Sequence, residues 1–341
     1  MSTKAATARP VRELLSWSRS LTDPALRAAV RGMPESMALV AGYHFGWLDA
    51  HGNPARGDGG KAIRPALVLL AATAAGGSPE RAVPASVAVE LIHNYSLLHD
   101  DVMDGDETRR HRPTAWTVFG RSGAILAGDA LQVLAFDVLA ASGHRAAPDS
   151  MRMLSGAVLQ LLDGQAADLA FERQDQVSVT QCVEMALAKT GALLGCACAI
   201  GALTGGAPPE QVQRMRRFGE LLGLAFQHVD DLLGIWGDPE LTGKPVYNDL
   251  ASRKKSLPVV KALNSGTGAG LELAERYAAP GPLDLRRAAE LVDEAGGRLW
   301  SQAEADRLLA EALVEIGPAT SEGGTAAELI SLAKLATHRD H

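Results

Sequence analysis

The sequence predicts an all-α protein, a single large domain of helices joined by short turns. Three observations predict it. Alanine and leucine abound in a chain of 341 residues that is 47% hydrophobic and only 4% aromatic. Apolar residues recur at three- and four-residue intervals in segments such as "VPASVAVELIHNYSLLHDDVMD" and "GELLGLAFQHVDDLLGIWGD", the period of a helix with one buried face. Runs of β-branched and aromatic residues in strict alternation are missing, so a sheet has little support.

The opening stretch "MSTKAATARPVRELLSWSRS" is polar and lacks the apolar core of an export signal. Residues 1–25 read as an N-terminal segment and 26–341 as the domain. Gly/Pro clusters at "HGNPARGDGG", "AAGGSPERAVP", "LTGGAPPE" and "YAAPGPLD" break the chain into helical segments, and no long linker divides it. The run "TGALLGCACAIGALTGG" is shorter than the ~20 apolar residues of a spanning helix and rich in glycine, which predicts a buried helix instead. Cys182, Cys196 and Cys198 cannot all pair and lack zinc-site spacing. They read as small buried hydrophobes in a reducing, cytosolic compartment. The tail "TSEGGTAAELISLAKLATHRDH" allows one more helix. A net charge of −7 argues against a general nucleic-acid binder, which would carry a basic face.

One stretch carries chemistry at unusual density. "LLHDDVMDGDETRRHRPT" sets Asp100, Asp101, Asp104, Asp106 and Glu107 at the end of an apolar run, then reverses sign with Arg109, Arg110 and Arg112. On a helix, Asp100 and Asp104 share a face. Two carboxylates ~6 Å apart repel by about 3 kcal/mol at an effective dielectric of ~20. At the end of a buried helix such a pair is tolerable when a cation bridges it. Oxygen ligands suit a hard ion, Mg²⁺ first and Mn²⁺ as the alternative. A solvated helix end whose acids pair with the following arginines is the competing reading.

"AFQHVDDLLGIWGD" repeats the plan with Asp230 and Asp231, and Asp238 follows. Two helices that each end in a double aspartate could face one cavity. Basic residues stand nearby in sequence: Lys61 and Arg64 in "GGKAIRP", Arg109 and Arg110, Lys189 in "ALAKTG", and Lys244, Lys254 and Lys255 in "TGKPVYNDLASRKKSLP". Metals with surrounding cations are the usual means of holding phosphates.

These residues carry a resemblance. The chain resembles the trans-isoprenyl diphosphate synthases, or polyprenyl synthetases, with motifs spread from Gly59 to Pro258. "LLHDDVMDGDETRR" fits their first aspartate-rich motif, D-D-x-x-D followed by paired arginines, and "FQHVDDLLGIWGDPELTGKPVYNDLASRKKSLP" fits the second. "GGKAIRP", "ELIHNYSLLHDD", "LAGDALQ", "GQAADL" and "AKTGALL" fall in family order. The resemblance implies an antiparallel helical bundle around a deep apolar cavity, and head-to-tail condensation of isopentenyl diphosphate with an allylic diphosphate by a homodimer. It implies three Mg²⁺ ions. Asp100 and Asp104 would hold two and Asp230 the third, within a metal set that also takes in Asp101 and Asp231. Arg109, Lys189 and Lys244 would contact the allylic diphosphate. Lys61, Arg64, His93 and Arg110 would hold isopentenyl diphosphate, with Lys254 a further substrate-binding lysine. Thr190 and Gln227 would lie beside the reacting carbons, and with Lys189 and Lys244 they form the expected catalytic group.

Two departures stand out. The fifth position of the second motif is Gly234 where many relatives have aspartate, which puts the third metal's affinity in question. Ala62 stands where relatives often carry a second basic residue. Tyr95, five residues before Asp100, would lie ~7.5 Å deeper along its helix. The resemblance makes it the floor of the cavity, with the small Ser96 beside it leaving room for a C20 product, geranylgeranyl diphosphate. A cyclase of the same fold and a non-catalytic partner subunit remain as alternatives. The first has no use for an isopentenyl diphosphate site, and the second typically loses aspartates that are present here.

Overall fold

The computed structural model describes residues 8–57, 60–242, 245–317 and 323–337. Helices account for nearly all of the regular structure. In order they are α1 (Val11–Arg31), α2 (Glu35–His44), α3 (Ile63–Ala74), α4 (Val83–Asp104), α5 (Ala115–Phe119), α6 (Arg121–Ala141), α7 (Ala147–Phe171), α8 (Val179–Ala186), α9 (Ala192–Gly205) and α10 (Pro209–Trp236). Then follow α11 (Pro239–Thr242), α12 (Asn248–Ala251), α13 (Leu257–Leu263), α14 (Gly268–Ala278), α15 (Leu285–Glu294), α16 (Gly297–Ile316) and α17 (Gly323–Thr337). A π-helical turn, Leu187–Gly191, joins α8 to α9. Among the described residues the one sheet is a two-stranded ribbon, β1 (Thr108–Arg109) paired with β2 (Arg112–Pro113). Strands of two residues leave no alternation to read, so the sequence does not announce them.

The helices group into two compact units, each assembled from separated stretches of the chain. Unit 1 comprises Met1–Gly156, Cys196–Arg216 and Ile316–Leu332. Its centre is α4, which starts with Pro84 in its first turn and stops at Gly105, whose φ of 70° is left-handed. Fourteen of its residues are buried, from Ala85 to Val102, so no wide polar face remains. Helices α1, α3 and α6 pack against it. The residue-25 boundary falls inside α1, which continues through Pro24 and buries Leu14, Thr22, Leu26 and Val30, so residues 11–25 pack as part of unit 1. Gly201 of α9 lies so close to α3 that a β-carbon there would overlap Ala71. The glycine-rich apolar run is thus a helix built for close packing. The α8–α9 stretch is long and apolar enough to cross a membrane by composition, but 78% of its most apolar window is buried inside the protein. Helix α6 passes the same test and has only 33% of its window buried.

Unit 2 comprises Ala157–Gly195, Arg217–Glu315 and Ala333–His341. Its core gathers Ile235, Leu250, Val259, Leu273, Leu291 and Val292 from α10, α12, α13, α14 and α15. His228 is buried there, bonded to Ser301 Oγ at 2.8 Å and edge-on to Trp300.

Candidate active site

In unit 1 the chemistry collects at the C-terminal end of α4. Asp100 is half-buried and Asp104 exposed, one turn apart on one face. Asp101 behaves differently. Successive helical residues point ~100° apart, so the second member of a D-D pair turns away from the first. Asp101 is 1% exposed, and its Oδ1 accepts from Arg109 Nε and Nη2, both at 2.7 Å. Of the residues expected in the metal set, Asp101 is thus the one whose Oδ1 bonds a guanidinium. Burial works against the charge on Arg109, but Asp101, Asp100 and Asp106 outweigh it and hold the pKa above its ordinary value.

The ribbon that follows aims the arginines. Arg110 and His111 form its two-residue turn with φ of 51° and 59°, both left-handed. Such a turn matches the twist of the strands and normally takes Asn or Gly, so Arg and His there cost on the order of 1 kcal/mol each. Arg112 anchors the strain. Its guanidinium lies 4.4 Å over the Tyr43 ring and donates to the Tyr43 and Leu48 carbonyls. Thr114 Oγ1 and Trp116 Nε1 both donate to Asp106 O at 2.8 Å. The ribbon thereby fixes where Arg109 and Arg110 stand.

Arg110 lies flat against Gly60, whose φ is 78° and where a β-carbon would fall 2.8 Å from the guanidinium carbon. Arg64 Nη1 is 3.2 Å from His93 Nε2. Burial drives the His93 pKa well below its usual value, and Arg64, Arg110 and Arg109 push it further, so the ring is neutral. Lys61 stands exposed at the rim. The structure therefore brings together Arg64, His93, Arg109 and Arg110, with Lys61 next to Gly60. Supporting them are residues that sequence reasoning missed. Glu90 is buried, accepts from Asn94 Nδ2 at 3.0 Å and faces Arg64; burial raises its pKa. His44 is held neutral, its pKa lowered to about 3 by burial, Arg109 and Arg110. The one signal available was a glutamate at a core position of an apolar helix. Tyr95, 4% exposed, meets the edge of the His99 ring at 4.7 Å, and Ser96 donates to the His93 carbonyl of its own helix.

In unit 2 the corresponding end of α10 exposes Asp230 and buries Asp231 to 4%. Asp231 again turns inward, accepting from Gln227 Nε2 and the Leu257 amide, each at 2.8 Å. Burial raises its pKa to about 7. Like Asp101, it is a member of the expected metal set whose carboxylate bonds within the protein. Thr190 Oγ1 donates to Gln227 Oε1 at 2.5 Å, so Thr190, Gln227 and Asp231 form one chain. Lys189 bonds Asp168 Oδ2 at 2.6 Å. Lys189 and Thr190 ride on the π-turn, a distortion common at functional sites. Gly164 of α7 makes room for it, since a β-carbon there would overlap the Lys189 backbone.

Burial opposes the charge on Lys254, but Asp249, Asp231, Asp168 and Asp230 together raise its pKa. Its neighbour Lys255 instead donates to the Phe171 and Gln174 carbonyls. Asp238 is exposed and accepts from the Glu240 amide at the start of α11. Asp168 and Asp249 fall inside the stretches "GQAADL" and "TGKPVYNDLASRKKSLP", where the sequence reading gave neither a role. Lys244, expected in the catalytic group, lies outside the described residues.

Among the described residues no three acidic, histidine or cysteine side chains converge into a cage. Asp100 with Asp104, and Asp230, instead offer one or two hard oxygen donors per ion. That fits Mg²⁺, which keeps waters and takes substrate phosphates rather than all-protein cages.

Helical architecture of this form defines the isoprenoid synthase class of all-α proteins. The chain belongs to the polyprenyl synthetase family, whose model matches residues 46–294. It is 47% identical to a geranylgeranyl diphosphate synthase of Mycobacterium tuberculosis, covering 96% of this chain and 93% of that one. It is 44% identical to a (2E,6E)-farnesyl diphosphate synthase of Mycobacterium bovis, covering 96% and 92%. The crystal structure of a polyprenyl synthetase from Streptomyces coelicolor A3(2) superposes with a TM-score of 0.90 at 49% identity, covering 96% of this chain and all of that one.

Proposed function

We infer that the protein is a prenyltransferase that condenses isopentenyl diphosphate with an allylic diphosphate, lengthening the prenyl chain. The observation that carries this reading is the cation cluster of unit 1: Arg64 on His93, Arg110 on Gly60, and Lys61 at the rim. An enzyme that only cyclises a finished diphosphate needs no second diphosphate site, and a non-catalytic subunit needs neither this cluster nor intact aspartates. Arg109, held by Asp101 beside Asp100 and Asp104, is assigned to the allylic diphosphate, and by the family resemblance Lys189, Lys244 and Asp230 serve that group too.

Mg²⁺ bound by Asp100, Asp104 and Asp230 would supply charge neutralisation to the departing diphosphate. The chain's own cations share that work: Arg109 stays charged beside Asp101, and Lys254 stays charged among its acids. Isopentenyl diphosphate then attacks the allylic carbon through its double bond, and a proton is lost to the departing diphosphate. Neutral His93 donates a ring N–H to a phosphate oxygen without adding charge. Thr190 and Gln227, fixed in one hydrogen-bonded chain, present polar oxygens to the reacting end.

The relatives include C15 and C20 synthases, so their names leave chain length open. Buried Tyr95 with small Ser96 beside it supports C20, geranylgeranyl diphosphate, with Tyr95 as the floor. A homodimer is supported by α6, which is apolar yet exposes Ile125, Leu126 and Val133. Such an apolar patch marks an interaction face. Three buried free cysteines support a reducing, cytosolic setting. The test is incubation with Mg²⁺, isopentenyl diphosphate and each allylic starter in turn, reading product mass. Growth by C5 steps ending at C20 is the expected result. A cyclic hydrocarbon, or no elongated product from any starter, would contradict the proposal.

A further inference from the structure

The two acidic sets differ at one position. Asp100, Asp101 and Asp104 occupy i, i+1 and i+4 of α4, whereas Asp230 and Asp231 of α10 are followed at i+4 by Gly234. The space a side chain would take at Gly234 is filled. A β-carbon on residue 234 would fall 2.7 Å from Asp249 Oδ1 and closer still to the rest of that carboxylate. Asp249 is 8% exposed and arrives from a different segment, α12.

That segment is held in a specific shape. The Tyr247 amide donates to the Ile235 carbonyl at 3.0 Å, one residue past Gly234, and Tyr247 has a φ of 64°. Leu250 is fully buried in the core of unit 2. Arg253, with a φ of 52°, donates to the Tyr277 and Gly281 carbonyls, and the Lys254 amide donates to Asp249 O at 2.8 Å. Left-handed non-glycine residues persist where surrounding contacts over-determine them, and they cluster at functional sites. Two such residues bracket Asp249.

We propose that Asp249 supplies the third carboxylate of the second acidic set, with Gly234 as the gap that admits it. Its side chain occupies the i+4 position of Asp230 in space though not in sequence. There it adds negative charge beside the divalent cation that Asp230 binds and orients Lys254. On this account Gly234 is an exchange of carboxylates between two segments, and the third metal keeps its affinity. The inference rests on the diphosphate chemistry proposed above and deepens it.

The test is a carboxylate swap read without turnover. Wild type, Asp249→Ala, Gly234→Asp and the double variant are titrated with Mg²⁺ in the presence of inorganic pyrophosphate, following the rise in Tm. Each single variant should need at least about tenfold more Mg²⁺ for half of the full effect, the range seen when groups supporting a metal ligand are removed. Gly234→Asp alone fails because two carboxylates compete for one space. The double variant should recover most of the wild-type response. A response in the double variant as weak as in Asp249→Ala would overturn the proposal, as would a Gly234→Asp variant that behaves like wild type. Where Asp249→Ala does not fold, Asp249→Asn keeps the volume and removes the charge, and the same outcomes apply. A purely structural Asp249 would lower the ligand-free Tm and gain nothing in metal response from the swap. A wild type with no Mg²⁺-dependent response to pyrophosphate would sink the prenyl-transfer reading itself, which separates the two failures.

Discussion

The ends of α4 and α10 carry the same dipeptide and solve the same electrostatic problem by different means. At α4 the ion pair is local, Asp101 with Arg109 eight residues on, and the ribbon sets Arg110 against Gly60, while Arg64 arrives from α3. At α10 the partners come from afar, Asp168 from α7, Lys189 from the π-turn, and Asp249 and Lys254 from the segment after α11. Both ends leave the first aspartate at least partly open to solvent and turn the second inward, because neighbouring helical residues cannot share a face. A double aspartate in such a helix is one candidate ligand plus one internal brace. The α4 end needs strain in two residues to keep its partners local, whereas the α10 end needs a glycine to let a distant one in.

The sharpest way to break the comparison is to remove the first aspartate of each pair. Asp100→Ala and Asp230→Ala should each lower kcat by on the order of 10³, with the helical circular dichroism spectrum unchanged. Near-normal turnover in either would end the claim that the two ends act alike. The inward aspartates should behave as braces. Asp101→Ala leaves a largely buried guanidinium without its partner and should cost about 2–3 kcal/mol in urea unfolding. Tyr95→Ala should lengthen the product beyond C20, and an unchanged distribution in an active variant would remove Tyr95 from the floor.

What the sequence made legible follows the same division. The helices, the first acidic set, Arg109 and Arg110 were readable because period, motif and partners lie within one or two turns of chain. The Lys189–Asp168 pair, the Asp249 carboxylate against Gly234 and the Arg64–His93 contact depend on which helices meet, which no local pattern encodes. The inward turn of Asp101 and Asp231 follows from the ~100° step per residue, which a D-D motif read as a unit does not convey. The ribbon escaped notice because Arg-His is an unfavourable pair for its turn.

Acid should loosen the α4 end in particular. His44, with a pKa lowered to about 3, stays neutral in the folded state while the unfolded chain takes up a proton near pH 6.5. Its contribution to stability is complete above that value and is lost as pH falls toward 3, by up to about 1.4 kcal/mol per pH unit. His93, also lowered, acts in the same direction. His44→Gln should flatten the fall in urea midpoint between pH 6.5 and 4.5, and an unaltered slope would show that His44 is not the neutral group described. The smallest expected effect is at the turn: His111→Gly removes a left-handed side chain and should stabilise by about 0.5 kcal/mol after the entropy of the unfolded glycine is counted.

The most direct measurement is a calorimetric titration of isopentenyl diphosphate in EDTA, with wild type and Arg110→Ala. Arg110 at the α4 end, with Lys61 and Arg64, supplies cations enough to hold this substrate without metal. One site per chain in the wild type, weakened at least about tenfold in the variant, is the predicted result. No binding until Mg²⁺ is added, or equal binding in both proteins, would contradict the assignment of this cluster to isopentenyl diphosphate.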